Sequence, residues 1–461
     1  MRAEGRGKRE EGEPMDGIEE GVFAMGGRID ELDDATLARL LDRTTSSDQA
    51  VREDTAAIVA RVRAGGDAAL RALALELDGA TLDALEVPRA AWDAALAGLD
   101  APVLRAMERA ARNLATAHAA MRPLGTEVET EPGVLVGRRP DPLRRVGVYA
   151  PGGRAAYPSS VLMGVVPARV AGVEEIIVCS PPAEDGLPCA VVLAAAALGG
   201  ADRVFALGGA GAVAAMAYGT ESVPRVDRIV GPGNAYVAEA KLQVSGAVAI
   251  DGPAGPSELL VIADFSADPA AVARELLAQA EHDPRAAVAA VVVGDELAAD
   301  VEEAMMRLLP TQPRRLVIAE ALARQGALLV AEDYDRAVAF ANLYAPEHLL
   351  LAVAEPEQGT LLARLRNVGT VFVGESSSVA FGDYMTGANH VLPTGGLARS
   401  YSGLGPQDFV RWTSWQRVTP AAAARLAGDV ANFAESEGLP GHAAAARWWG
   451  GEGGGAREAT P

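Results

Sequence analysis

The sequence predicts an α/β protein: two units in which strands and helices alternate, preceded by helices and followed by a smaller helical section. Three observations carry this. From Leu37 to Ala120 apolar residues recur at three- and four-residue spacing, the period of an amphipathic helix. From Arg145 short β-rich runs appear, each closed by a glycine or proline turn and followed by an apolar helical stretch, which is the texture of parallel βαβ units. A second alternation of the same kind starts at Pro269.

In chain order, residues 1–24 are rich in Gly, Arg and Glu and read as a disordered lead-in, with Met15 and Met25 as alternative starts. The helical stretch DQAVREDTAAIVARVRAGGDAALRALALEL is broken at Gly65-Gly66. RVGVYAPGG is a strand entering a tight loop. EEIIVCSPP, CAVVLAAAALGG and DRVFALGGAGAVAAMAYG follow as strand, helix, then strand, glycine turn and helix. DRIVGPGNAYVAEAKLQV repeats strand, turn and helix, and VAIDGPAGPSELLVIAD sets a Gly/Pro loop between two strands. The second unit reads PAAVARELLAQAEH (helix), AAVAAVVVG (strand), ELAADVEEAMMRLL (helix) and GALLVAE (strand). No exact internal repeat is visible, although the two α/β units could be related. The part after Ser400 reads as helical, and a low-complexity tail begins at Gly450.

The chain has 461 residues, enough for roughly two to four domains. Its 41 basic against 62 acidic residues give a net charge of −21, which opposes general nucleic-acid binding. The two cysteines, Cys179 and Cys189, are too few for a disulfide framework. The longest mostly apolar run, Val204–Thr220, falls short of a bilayer span, and the start has no apolar signal core. The expectation is a soluble, cytoplasmic protein. Lysine is nearly absent, with Lys8 and Lys241 against 39 arginines, a bias that points to coding composition.

Five histidines stand out, four of them after residue 280. His118 lies in a helical stretch with no chemistry beside it. Gln279 and His282 form Q-x-x-H at a helix end, where i,i+3 side chains share a face and can converge on one ion, although a capping or solvated pair would read the same way. Glu347 and His348 adjoin at a strand entry. An acid beside an imidazole suits proton transfer near neutral pH, yet neighbours on an extended segment point to opposite faces. Asp383 and His390 share the polar loop GDYMTGANHVLPTGG, and Glu437 and His442 share the turn SEGLPGH. Gly209, Gly211 and Ala214 match G-x-G-x-x-A between a strand and a helix, as a dinucleotide site does, but Asp227 precedes its strand where an acid should close it. VGPGN and PAGPSE could approach a ligand or simply be tight turns.

RVGVYAPGG, VGPGNAYVAEAK, DGPAGPSELLVIAD, QAEH, YAPEHL, GDYMTGANHVLPTGG and EGLPGH occur in this order over some 300 residues. From about Arg28 to Trp449 the sequence resembles the histidinol dehydrogenase family. The resemblance implies an enzyme using zinc and NAD to oxidise L-histidinol to L-histidine through the aldehyde, the last steps of histidine biosynthesis. It places zinc ligands on Gln279, His282, Asp383 and His442. His348 would take the hydroxyl proton, and Glu347 would activate water. Substrate contacts would come from Ser257, His390 and Glu437, with His348 and the four zinc ligands. Cofactor contacts fall on Tyr149, Gly211 and Asn234. At Gly211 the chain departs from the family, which commonly has glutamine in that turn.

The implied fold is two incomplete Rossmann-like domains, a first formed by 25–148 with 260–404 and a second, NAD-binding, formed by 149–259. A small C-terminal domain, 405–449, would be swapped in a homodimer so that Glu437 and His442 complete the other subunit's site, and 450–461 would be a flexible tail. Relatives that oxidise other small amino or sulfo alcohols, and a zinc hydrolase that needs no NAD, are the competing readings.

Overall fold

A computed structural model of the protein describes residues 21–43, 48–152, 156–252 and 255–451. The first strand, β1 (Met25–Arg28), is followed by α1 (Asp34–Leu41), α2 (Gln49–Leu73), α3 (Arg89–Ala97) and α4 (Ala101–Ala120). Asp48 caps α2 by accepting from the amides of Ala50 and Val51. The expected break in this helix is real: Gly66 has φ 53°, outside helical space. Strands β2 (Thr126–Glu131) and β3 (Val134–Pro142) then form an antiparallel hairpin.

The first alternating run comprises β4 (Arg145–Tyr149), α5 (Pro158–Ala171), β5 (Glu175–Ser180), α6 (Ala190–Gly199), β6 (Arg203–Ala206), α7 (Gly209–Tyr218), β7 (Arg228–Val230), α8 (Ala235–Val244) and β8 (Ala249–Ile250). The second comprises β9 (Glu258–Ala263), α9 (Pro269–Ala280), β10 (Ala287–Val293), α10 (Glu296–Leu308), α11 (Arg315–Gln325), β11 (Gly326–Ala331), α12 (Tyr334–Tyr344), β12 (His348–Ala352), α13 (Glu355–Leu362), β13 (Thr370–Val373) and α14 (Val379–Tyr384). The chain closes with β14 (Val410–Val418), α15 (Pro420–Ser436) and α16 (Pro440–Gly450).

The first run builds a parallel sheet of order β6-β5-β4-β7-β8. The second builds a parallel sheet of order β1-β11-β10-β9-β12-β13. Both are wound alike: the first strand is central, the next two lie on one side and the last two on the other. The winding therefore reverses between β4 and β7 in one sheet and between β9 and β12 in the other, and such switch points open crevices for ligands. The expected boundary between residues 148 and 149 falls inside β4.

Burial explains the parallel sheets. All six residues of β9 are buried, as both faces of a helix-covered sheet require. Leu259 and Val261 join one core cluster while Leu260 and Ile262 join another, because successive side chains leave opposite faces. The core around the five-stranded sheet also takes in Leu70 and Leu73 of α2.

Two expectations change. The lead-in was drawn to residue 24, but Val22 is buried and the Ala24 amide donates to the Leu322 carbonyl. The apolar trio Val22-Phe23-Ala24 belongs to the core rather than to the charged stretch before it. Residues 1–20 and 452–461, which hold the rest of the lead-in and most of the tail, lie outside the described residues. The C-terminal part is not purely helical either, since β14 pairs antiparallel with β3 in a three-stranded sheet. That strand is largely exposed, so it lacks the continuous apolar run that marks a buried strand in sequence. Among the described residues no helix is long and apolar enough to cross a membrane.

Candidate active site

A buried polar cluster lies where β9 and β12 begin, at the amino ends of the two strands between which the winding reverses. His348 is the first residue of β12 and Glu347 sits in the bend before it, both buried. The chain leaves α12 through Ala345, whose φ of 52° is left-handed. Beyond this turn the neighbouring side chains meet: Glu347 Oε2 is 3.4 Å from His348 Nδ1.

Glu258, which opens β9, holds both. Its amide donates to Glu347 Oε2 at 2.8 Å, and its carbonyl oxygen lies 3.0 Å from His348 Nδ1. A carbonyl only accepts, so Nδ1 carries a proton and the neutral ring keeps its lone pair on Nε2. Nε2 faces Asp383 Oδ1 at 3.7 Å. The Glu258 carboxylate accepts from Arg43 and from the Gly395 amide, each at 2.6 Å. Arg43 also lies over the Tyr344 ring, 3.5 Å from its centroid.

Electrostatics follow from this packing. Burial alone would keep His348 neutral, but the carboxylates of Glu347 and Asp383 outweigh it and raise the imidazole to about 9. Burial pushes Glu258 up to about 7 against the pull of Arg43. Burial lowers His390, which Asp383 only partly offsets.

His390 reaches the cluster from the polar loop. Its Nδ1 lies 3.0 Å from the Asp383 carbonyl and its Nε2 lies 3.2 Å from the hydroxyl of Ser160 in α5. The same loop is tied to α5 by Asn389, which donates to the Met163 carbonyl, and to α4 by Asn113, which donates to the Met385 carbonyl. Gln279 is buried in the last turn of α9, and His282 is exposed just beyond it. This helix end lies beside the Asp383 segment: Glu275 accepts from the Val379 amide, and the charge of Glu281 acts on Tyr384.

A metal fits part of this set. The buried Gln279 Nε2 has no hydrogen-bond partner among the described residues, and buried polar atoms seldom stay unpaired. Exchanging the amide nitrogen and oxygen, a matter of assignment, places a ligating oxygen there. Gln279, His282 and Asp383 offer the oxygen and nitrogen donors that zinc accepts. Among the described residues, however, no three His, Cys, Asp or Glu side chains gather as a metal group. His442, in the first turn of α16, and Glu437, at the end of α15, are both exposed. No hydrogen bond or ion pair among the described residues joins either to the cluster.

The expected cofactor residues lie at the carboxyl edge of the five-stranded sheet, around its own switch point. Tyr149 ends β4, and its hydroxyl accepts from the Gly209 amide at 3.1 Å. Burial pushes this phenol up to about 12. Asn234 caps α8 by accepting from the Val237 amide. A Cβ built on Gly209 meets nothing within 4 Å, so backbone at the start of α7 is open to a ligand such as a dinucleotide phosphate. Gly211 differs: it is buried, and a Cβ there would lie 3.3 Å from Leu73 Cδ1 of α2. Asp227, the acid out of place for a ribose, accepts from the Arg145 amide. Ser257, half-buried before β9, uses its carbonyl to pair with Ala287.

Sequence reasoning missed Glu258, Arg43 and Ser160. Glu258 closes the PAGPSE string and Ser160 lies seven residues beyond RVGVYAPGG, but their roles depend on contacts 89 to 230 positions away.

The fold and the cluster define an α/β enzyme with a buried acid/imidazole pair beside a partial set of metal donors and an open glycine crevice. A sequence profile described as histidinol dehydrogenase matches residues 41–448. The chain belongs to the histidinol dehydrogenase family. It is 46% identical over 416 residues to the histidinol dehydrogenase of Methanothermobacter thermautotrophicus, covering 90% of this chain and 97% of that one. With that of Halobacterium salinarum it shares 49% identity over 406 residues, 88% and 94% of the two chains. The crystal structure of histidinol dehydrogenase from Elizabethkingia anophelis superposes with a TM-score of 0.88 at 33% identity, covering 93% of this chain and 98% of that one.

Proposed function

We propose that the protein oxidises L-histidinol to L-histidine through L-histidinal, with NAD as oxidant and one zinc ion per subunit, as an enzyme of histidine biosynthesis in the cytoplasm. The observation that carries this is the fixed tautomer of His348, whose Nδ1 is tied to the Glu258 carbonyl while Nε2 faces Asp383. The neutral ring offers Nε2 to accept the proton of a substrate hydroxyl, a form that a cation held by Asp383 would favour by offsetting one of the carboxylates that raise the imidazole to about 9. Glu347, held by the Glu258 amide, can then take a proton from the water that attacks the aldehyde. His348 serves again as base when the resulting hydrate is oxidised to the acid.

Tyr149, Asn234 and the backbone near Gly211, in a Rossmann-like unit 149–259, would hold NAD, which when bound would supply the hydride acceptor for each oxidation. Zinc, when bound by Gln279, His282, Asp383 and His442 of the partner subunit, anchors the imidazole and amine of the substrate. Ser257, His390 and Glu437 complete the substrate contacts. The other unit is formed by 25–148 with 260–404. The segment 405–449 reaches across a homodimer, consistent with the exposure of Glu437 and His442 in a single chain.

The test is NADH formation from L-histidinol by zinc-loaded protein. Two NADH per histidine, abolished by a chelator and restored by zinc, are expected. NADH from another amino or sulfo alcohol but none from histidinol would overturn the substrate, and hydrolytic turnover without NAD would overturn the class.

A further inference from the structure

Lysine occurs twice in this chain, against 39 arginines. Lys241 is the single lysine among the described residues, and it is 2% exposed. A buried cation is costly unless it is paired and hydrogen-bonded. Lys241, in the last turn of α8, pairs with Asp251 Oδ1 and donates to the Gly231 carbonyl at 3.1 Å. The other carboxylate oxygen of Asp251 accepts from the Gly231 amide at 2.7 Å, and Oδ1 also accepts from the Gly252 amide at 2.9 Å. One ion pair thus grips both the N–H and the C=O of a single residue.

Gly231 begins the turn that leads to Asn234. Its φ is 113°, and a Cβ there would fall 2.1 Å from the Tyr149 carbonyl oxygen. The turn therefore rests directly on the backbone of Tyr149, whose hydroxyl in turn holds the Gly209 amide. The three segments that frame the crevice, ending β4, following β7 and opening α7, meet through Tyr149, whose backbone carries Gly231 and whose hydroxyl holds Gly209.

We propose that Lys241 and Asp251 are a positioning pair for the dinucleotide: they lock the Gly231 turn so that Tyr149 and Asn234 stand in binding geometry. The proposal rests on the reading of this crevice as the NAD site. Arginine does not replace Lys241 because its broad planar fork cannot occupy the enclosed point from which a compact ammonium reaches both partners. That explains why lysine stands here in a chain that uses arginine at almost every other basic position.

The test compares native protein with K241R, D251N and the double variant K241M/D251L, by calorimetric titration with NAD, zinc analysis and steady-state kinetics. Melting curves establish folding. The double variant leaves no lone buried charge, so it is expected to fold. In each folded variant the Kd and KM for NAD rise about tenfold, while KM for histidinol at saturating NAD stays within about twofold. Zinc content is unchanged.

A folded double variant with native NAD affinity overturns the proposal. So does a parallel loss of histidinol and zinc binding, which marks general structural support, and so does failure of all three variants to fold. Native protein that binds NAD but makes no NADH from histidinol would sink the substrate reading and leave the Kd comparison standing.

Discussion

His118 and His348 are both buried imidazoles, and their surroundings give them opposite behaviour. His348 faces two carboxylates and is raised to about 9. His118, in α4, has no hydrogen-bond partner at either ring nitrogen among the described residues, and burial lowers its pKa. The folded protein therefore holds His118 neutral, while the unfolded chain takes up a proton near 6.5. Its contribution is present above that pH and is lost as pH falls through the folded value. His118→Leu should narrow the gap between melting temperatures at pH 8 and pH 5.5, with stability at pH 8 unchanged or raised by about 1 kcal/mol. An equal loss at both pH values would show that the ring has a hydrogen-bonded role. At this scale the Glu347-His348 pair was visible in sequence. The left-handed Ala345 that leads into the pair was not, because alanine carries no signal for positive φ.

Most strands of both parallel sheets and several of their helices were legible, since buried parallel strands are short apolar runs bounded by turns; β1, β13, α5 and α11 to α14 were not read from the sequence. The antiparallel β14-β3-β2 sheet was not, because its exposed strands have no such runs. Gly211 shows how packing between elements alters a motif. Sequence placed it toward a cofactor, but its open side faces Leu70 and Leu73 of α2. In this chain α2 occupies the space into which a side chain at 211 would grow. Gly211→Gln should lower the melting temperature by several degrees, corresponding to about 1–3 kcal/mol of overpacking, without tightening NAD binding. Tighter NAD binding at an unchanged melting temperature would restore the direct cofactor role.

Over the whole molecule, two sheets share one winding but are used differently. In the five-stranded sheet the crevice lies at the carboxyl ends of β4 and β7, as switch-point geometry expects. In the six-stranded sheet the acid/imidazole pair lies at the amino end of β12, with Glu258 at the amino end of β9. The α5–loop contacts of Ser160 and Asn389 tie these two edges together. Glu437 and His442 are exposed and, among the described residues, make no hydrogen bond or ion pair with either edge, and the dimer reading makes a sharp prediction for them. His348→Asn and His442→Ala proteins, each inactive alone, should regain about a quarter of native turnover after subunit exchange, since half the dimers then carry one intact site. No recovery between proteins shown to exchange would place His442 outside the partner's site.

Residue types and their order in the sequence determined the family, the two alternating runs and the identity of the acid/base and metal-donor candidates, because those motifs are local and strongly patterned. Tertiary structure decided which side chains meet. It set the His348 tautomer through Glu258, spent Asp227 on a backbone amide, packed Gly211 against α2 and left Glu437 and His442 exposed. It also gave the only described lysine a task, because two buried charges and a glycine turn come together only when α8, β7 and the segment after β8 are packed.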